Sequence, residues 1–415
     1  MRKLVLTLVA AAILYIGGAV AAPVRFVPLN DVVTNRLSDI PALRPLDEKV
    51  DSFMRFWEIK GASLAIMRND SLVYAKGYGW ADKEKGIRMT PGHTMRMASV
   101  SKLITAAGIM VLQEQGRLNL QSPVFGPYGV LTGYDSYIRD ENYYLITVEH
   151  LLRHQGGFTS RGGDPMFSTR DIMARYRLSS LPDGEMLAKK LLSQPLDFVP
   201  GETQYYSNFG YLLLSLIIEK VSGLDYETFI QREVLGKAGC RAFHIANNYY
   251  SQRYEDEVKY YMQRDRDLVP DVSGSGVSVV RCYGGNDIHA LSGAGAWVGS
   301  TIELARFVGS IDGRLVVPDI ITPFSVYQMT QYFDEDTYGL GWVDTNLDGE
   351  WTRTGSFSGT SALVKYYPDG ECWIMITNTS TWKGSRFTKE TAALFKHLRS
   401  RFSPLLPKQD LFEAK

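Results

Sequence analysis

Strand-like runs stand at the two ends of this 415-residue chain, and helical ones fill the space between. Near the start, Ala62 to Met67 and Leu72 to Tyr78 flank the turn cluster Arg68-Asn69-Asp70-Ser71 and read as a hairpin. Near the end, Glu350 to Gly355, Ser361 to Tyr367 and Cys372 to Thr377 read as strands, with Pro368-Asp369-Gly370-Glu371 turning between the last two. Helical apolar spacing runs from Leu46 to Trp57 and again from Phe387 to Phe402. Between about 120 and 300, short helical segments (Val148 to Arg153, Phe209 to Val221, Tyr226 to Leu235) alternate with long loops. Ser251 to Gly285 is polar and reads as an exposed excursion; Ile302 to Ile311 returns to helix. Isolated strands cannot leave their edges and apolar faces bare, so distant strands must find one another. The simplest α/β architecture pairs both ends into one antiparallel sheet, covers it with the terminal helices, and inserts an all-helical lobe between its halves. A cleft between the two parts is then the default site.

The chain opens Met1-Arg2-Lys3, continues apolar from Leu4 to Val20, and reaches Ala19-Val20-Ala21. A basic start, a short apolar core and small residues before a cleavage point predict a signal peptide over 1–21. Residues 22–44 read as an arm or linker, 45–403 as the main domain and 404–415 as a tail. The expected mature protein is secreted across the inner membrane into the periplasm, without stable membrane insertion. Lys+Arg and Asp+Glu both number 45, which argues against nucleic acid as a partner. The three cysteines, Cys240, Cys282 and Cys372, have no metal-ligand spacing. A disulfide after export would use two of them; all three are equally readable as core residues.

Three short segments carry chemistry. Ser99-Val100-Ser101-Lys102 opens an apolar run, Leu103 to Leu112, that predicts a helix starting near Ser99. Positions i and i+3 share a helix face, which sets a hydroxyl beside an amine. A desolvated lysine near another cation can lose its proton and serve as the base a serine nucleophile needs. Tyr206-Ser207-Asn208 lies just before the apolar helix from Phe209. Tyr206 held near cations could ionise, whereas Asn208 also fits a simple helix cap. Arg353-Thr354-Gly355-Ser356 closes a strand-like run, with a cation suited to a substrate carboxylate and a glycine permitting close backbone approach.

Taken in order, these segments resemble the penicillin-recognising serine hydrolases, nearest to the class C β-lactamase, D-alanyl-D-alanine carboxypeptidase and esterase branch. Leu151-Leu152-Arg153-His154-Gln155-Gly156-Gly157-Phe158 and Gly355-Ser356-Phe357-Ser358-Gly359-Thr360-Ser361 strengthen the resemblance, which runs from about Leu46 to Phe402. It implies a β-lactamase/transpeptidase-like fold and an acyl-enzyme on Ser99. Lys102 and Tyr206 would then move the proton, and Asn208 would bond Lys102 and a substrate amide. Arg353, Thr354, Gly355 and Ser356 would bind substrate, with the amides of Ser99 and Ser356 as oxyanion hole. It implies no metal or organic cofactor, and a small-molecule or peptidoglycan-like amide, peptide or ester substrate. Arg353 departs from the Lys or His that usually opens the third motif, and this leaves β-lactam turnover open. The rival reading is a catalytically silent penicillin-recognising binding or sensing protein.

Two other patterns compete for attention. His150 and His154 would share a helix face as metal ligands do, but no glutamate or third ligand accompanies them. Gly293-Ala294-Gly295-Ala296-Trp297-Val298-Gly299 superficially suggests a nucleotide loop, yet its last glycine falls one place late and no βαβ unit surrounds it. A glycine-rich wall near the cleft, or simple close packing, accounts for it better.

Overall fold

A computed structural model describes residues 28–161, 163–264, 267–314, 316–333 and 338–414. The expected signal peptide and the first part of the arm lie outside these residues. The early strands are β1 (Gly61–Arg68), β2 (Ser71–Asp82) and β3 (Ile87–Arg88). β4 (Met95–Arg96), β5 (His244–Ile245), β6 (Leu268–Pro270), β7 (Ser278–Val280) and β8 (Trp297–Gly299) follow in the insertion. The chain returns with β9 (Asp344–Thr345), β10 (Trp351–Phe357), β11 (Thr360–Tyr366) and β12 (Glu371–Thr377).

β1 pairs antiparallel with β12, so the two ends join at the centre of a seven-stranded sheet of order β3-β2-β1-β12-β11-β10-β9. The hairpin between β1 and β2 turns through Asn69 (φ 47°) and Asp70 (φ 61°), and such a left-handed pair matches the twist of the strands it joins. Both faces of the sheet are covered. Trp373 and Met375 of β12 pack with Leu46, Val50 and Met54 of the helix Arg44–Phe56 and with Phe395 and Leu398 of the helix Phe387–Phe402. Ile374 and Ile376 face the opposite way into the insertion. A strand buried on both faces reads as a continuous apolar run, which is what Cys372 to Ile376 shows.

The insertion is built around two buried helices, Ser101–Glu114 and Asn208–Ser222. The insertion is not the all-helical lobe expected: beside its helices it carries a small sheet of order β4-β8-β5 and the hairpin β6–β7. These are strands of two or three residues, too short for alternation to mark them. The exposed excursion expected over 251–285 needs correction in part: 274–278 is exposed, but both flanks turn inward. Val258, Tyr260, Cys282 and Tyr283 in it are buried. The phenol of Tyr260 donates to Glu257 and accepts from the Arg96 amide, while Tyr283 accepts from the Tyr260 amide. A polar composition does not keep a segment outside when each hydroxyl finds a partner. All three cysteines are free and buried.

Short turns over 29–43 run along β2, where Asn35 donates to the carbonyls of Gly77 and Met89. Near the other terminus Asp410 accepts from the Leu72 amide. At the hairpin tip, Asp70, Asp312 and Asp319 crowd together, each largely or partly buried. Burial first, then the neighbouring carboxylate of Asp312, raises both Asp70 and Asp319 to about 7.

Candidate active site

The segment carrying Ser99 enters as a 3-10 turn, Ala98–Val100, and becomes α-helical only at Ser101. Ala98 takes a left-handed φ of 49°, a conformation that costs a non-glycine residue roughly 1 kcal/mol or more and that sets the serine at a sharp corner. Lys102, one helical turn on, is fully buried and its Nζ lies 3.4 Å from the Ser99 hydroxyl. It donates to Asn208 Oδ1 and to the Ala294 carbonyl, both at 2.7 Å. Burial pushes this ammonium down to about 8, and Arg353 adds to the effect; Tyr206 and Asp164 act against it.

Tyr206 stands on the loop ahead of the helix Asn208–Ser222, which Ser207 caps by accepting from the Gly210 amide. Burial alone would raise its phenol. The charges of Lys102 and Arg353, with hydrogen bonds from Lys102 and Ser99, outweigh burial and bring it down to about 8. Asn208 does not cap this helix, as the sequence alone also allowed. It turns inward to Lys102 on one side and donates to Asp164 at 2.6 Å on the other.

Arg353 lies on β10, which keeps a nearly free edge because β9 pairs only with Trp351 and Thr352. Its expected place facing a substrate carboxylate needs correction. The side chain is 1% exposed; Nε donates to the Ser99 carbonyl at 2.7 Å and Nη2 to the Tyr206 hydroxyl at 3.0 Å. A longer, forked cation reaches behind the nucleophile where a shorter one would stop; Nε and Nη2 are bonded there, while Nη1 is buried without a partner. Gly355 lets β10 pass the nucleophile turn: a Cβ there would sit 2.2 Å from the Met97 carbonyl and 3.2 Å from the Ser99 amide. Thr354 and Ser356 alternate with these two and are only partly buried.

Four further participants were given no part in this chemistry by the sequence reading. Asp164 precedes a proline and reads as an ordinary cap, which it also is, accepting from Met166. His154 is fully buried, held far below its usual pKa by burial and by Lys102 and Arg353, and therefore neutral. Its ring lies 4.5 Å from that of Tyr206, and its Nδ1 accepts from the Ser207 amide. Tyr338 packs edge-on against the same imidazole. The fourth is the Ala294 carbonyl, in the glycine-rich stretch 293–299. Gly293 there abuts the Tyr211 carbonyl, so close packing explains that stretch. His150 reaches back to the Thr147 amide in a capping box, and the two histidines do separate work.

Two openings meet this constellation. A small pocket of about 130 Å³ is lined by Tyr143, Phe158, Asp164, Asp197, Tyr206 and Phe209 among others. A broader groove of about 840 Å³ leaves the end of β10 past Ser356 and Phe357 towards Arg264, Arg281 and Trp382.

The family model described as Beta-lactamase matches residues 46–397. The chain belongs to the beta-lactamase family. Among curated proteins it is 26% identical over 326 residues to penicillin-binding protein 4* of Bacillus subtilis (strain 168), a match covering 75% of this chain and 66% of that protein. It is 27% identical over 241 residues to esterase EstB of Burkholderia gladioli, covering 56% and 60% respectively. It therefore spans no more than about two thirds of these two relatives. Among solved structures, D-amino acid amidase from Ochrobactrum anthropi SV3 superposes with a TM-score of 0.65 at 20% identity, over 86% of this chain and 98% of that one. The octameric penicillin-binding protein homologue from Pyrococcus abyssi gives 0.61 at 22%, over 85% and 76%. The β-lactamase/transpeptidase-like fold expected from the sequence is thus found.

Proposed function

We propose that this member of the beta-lactamase family is an exported serine hydrolase that works through an acyl-enzyme on Ser99. The observation that carries the reading is that one serine hydroxyl has both a buried lysine and a tyrosine beside it, each brought down to about 8. Near neutral pH the pair holds a proton it can readily exchange, which is the condition for general base catalysis. The Ser99 proton passes to the Lys102–Tyr206 pair as Oγ bonds to the acyl carbon. The carbonyl oxygen, now negative, is received by the amides of Ser99 and Ser356. The same pair then returns the proton to the leaving nitrogen or oxygen as the acyl bond breaks. Water, deprotonated by the pair, releases the acyl group in the second half. Which of the two takes the first proton is a property of the pair, since their titrations are coupled.

The similarity to an esterase and to a penicillin-binding protein supports acyl transfer, with an amide, peptide or ester substrate of small-molecule or peptidoglycan-like kind. The residues 1–21 support export to the periplasm. The silent-binder reading rested on Arg353 being out of character for turnover. The Arg353 bond to the Tyr206 hydroxyl favours turnover over that reading. The test is hydrolysis of a nitrophenyl acyl ester by the purified chain and by Ser99→Ala, with a fluorescent phosphonate to label the serine. Ester hydrolysis and labelling lost together in Ser99→Ala are expected. Hydrolysis that persists unchanged in the variant overturns the site.

A further inference from the structure

We propose that the pocket beside Tyr206 is a subsite for a primary ammonium group of the substrate, with Asp164 as the residue that selects it. This deepens the reading above and rests on it. The pocket is small and its walls are aromatic, from Tyr143, Phe158, Tyr206 and Phe209. Its charged lining is of one sign: Asp164 and Asp197 face it, and among the described lining residues there is neither lysine nor arginine. A further carboxylate, Asp140, stands behind and accepts from the Leu196 amide. Its field and that of Asp197 reach into the cavity, where they add to burial in raising the Tyr143 phenol. Aromatic faces and carboxylates together favour a cation, by the ring quadrupole and by charge.

Asp164 is also joined to the reacting centre. One of its oxygens accepts from Asn208 at 2.6 Å, and Asn208 accepts from Lys102. A carboxylate has about four lone-pair directions. The bonds from Asn208 and from the Met166 amide use two, one on each oxygen, which leaves acceptor capacity for a substrate N–H. The wider groove is different in kind. Ser356, Phe357 and Trp382 line it together with Arg264 and Arg281, the latter paired with Asp267. The charged lining therefore differs between the two, carboxylates alone in the small pocket and two guanidinium groups with the Asp267 carboxylate in the broad groove. An amino-acyl compound with a free amine suits the small pocket better than the same compound with that amine acylated.

The experiment measures competition against nitrophenyl ester hydrolysis by the full chain. The competitors are the amides of D- and L-alanine and their N-acetyl counterparts, which keep shape but lose the charge. At least one free-amine amide is expected to inhibit at a concentration about tenfold below its N-acetyl form, the ratio that about 1.4 kcal/mol supplies. Asp164→Asn is expected to collapse that ratio towards one and Asp164→Glu to restore part of it. Because a ratio within each variant is read, any loss of ester turnover through Asn208 does not enter. Equal inhibition by the free and acetylated forms in the unaltered chain overturns the subsite, as does an Asp164→Asn variant that keeps the preference. An unaltered chain that hydrolyses no ester, or a Ser99→Ala variant that hydrolyses it equally well, takes down the parent reading and this one with it.

Discussion

At the scale of single residues, the site is governed by where positive charge can be held without water. Lys102 is fully buried, and the Arg353 guanidinium donates to the Tyr206 phenol. Replacing Lys102 with Met, or Tyr206 with Phe, removes one member of a proton-transfer pair, a loss of about 10² to 10⁴ in kcat for ester hydrolysis. Steady-state kinetics beside Ser99→Ala would read it. In the unaltered chain the active form appears as the pair gives up a proton, so kcat/KM should rise with pH through about 8 and then level. A profile flat from pH 6 to 9 would contradict this. Arg353→Met takes away one of the charges that lowers the Tyr206 phenol, and the midpoint should move upward, whereas Arg353→Lys should move it less.

The ends of the elements decide what could be read from sequence. Ser99 and Lys102 were legible because helical spacing fixes their relation within four residues. The terminal strands were legible because each is a continuous or alternating apolar run. Asp164 was not, since its bond to Asn208 spans 44 residues and depends on how two loops lie against one helix. Arg353 was found but misplaced: the sequence gives its charge and strand, while its direction depends on the corner at Ala98. The buried parts of 251–285, around Tyr260 and Tyr283, escaped for a related reason, because tyrosines whose hydroxyls find buried partners look like tyrosines that face water. Gly355 is the element-scale test. Gly355→Ala puts a methyl against the Met97 carbonyl and must shift β10 or the nucleophile turn. Such a displacement is expected to lower kcat about 10²-fold and to cost about 1–3 kcal/mol of stability. Activity and a denaturant melt together would show both; full activity would mean that the strand has slack.

For the whole molecule, stability has two opposed acidic centres. Glu371 is buried at the edge of β12 and bonded by Arg68, Arg399, Trp373 and Ser403, tying the last helix to the sheet. Burial would raise its carboxyl, but these partners outweigh burial and lower it below 4.5. Its folded pKa is depressed, so its contribution is present at neutral pH and is lost as pH falls through the folded value. Asp70 behaves oppositely. Its folded pKa of about 7 is above 3.8, so the fold favours its protonated form and loses that advantage as pH rises through 7. Asp70→Asn should therefore raise stability at pH 8 by at least about 1 kcal/mol and much less at pH 4. Melts at the two pH values would test this; an equal effect at both would refute it.

The pairing of β1 with β12 also fixes an order of events. Ala62 meets Thr377, and Arg68 meets Glu371, across some three hundred residues of intervening chain. During synthesis from the N-terminus, β1 has no partner on that side until the last few dozen residues exist. The nucleophile is made early, yet nothing can lock it against β10 until the chain is almost finished. A chain that stops before Glu371 leaves the middle of its sheet as an open edge, a template for other copies of itself. Contacts of such long sequence separation are also slow to form. Premature termination should thus yield aggregated protein rather than a smaller, weaker enzyme, and a late, all-or-nothing closure keeps a half-made chain from acylating anything before it is whole.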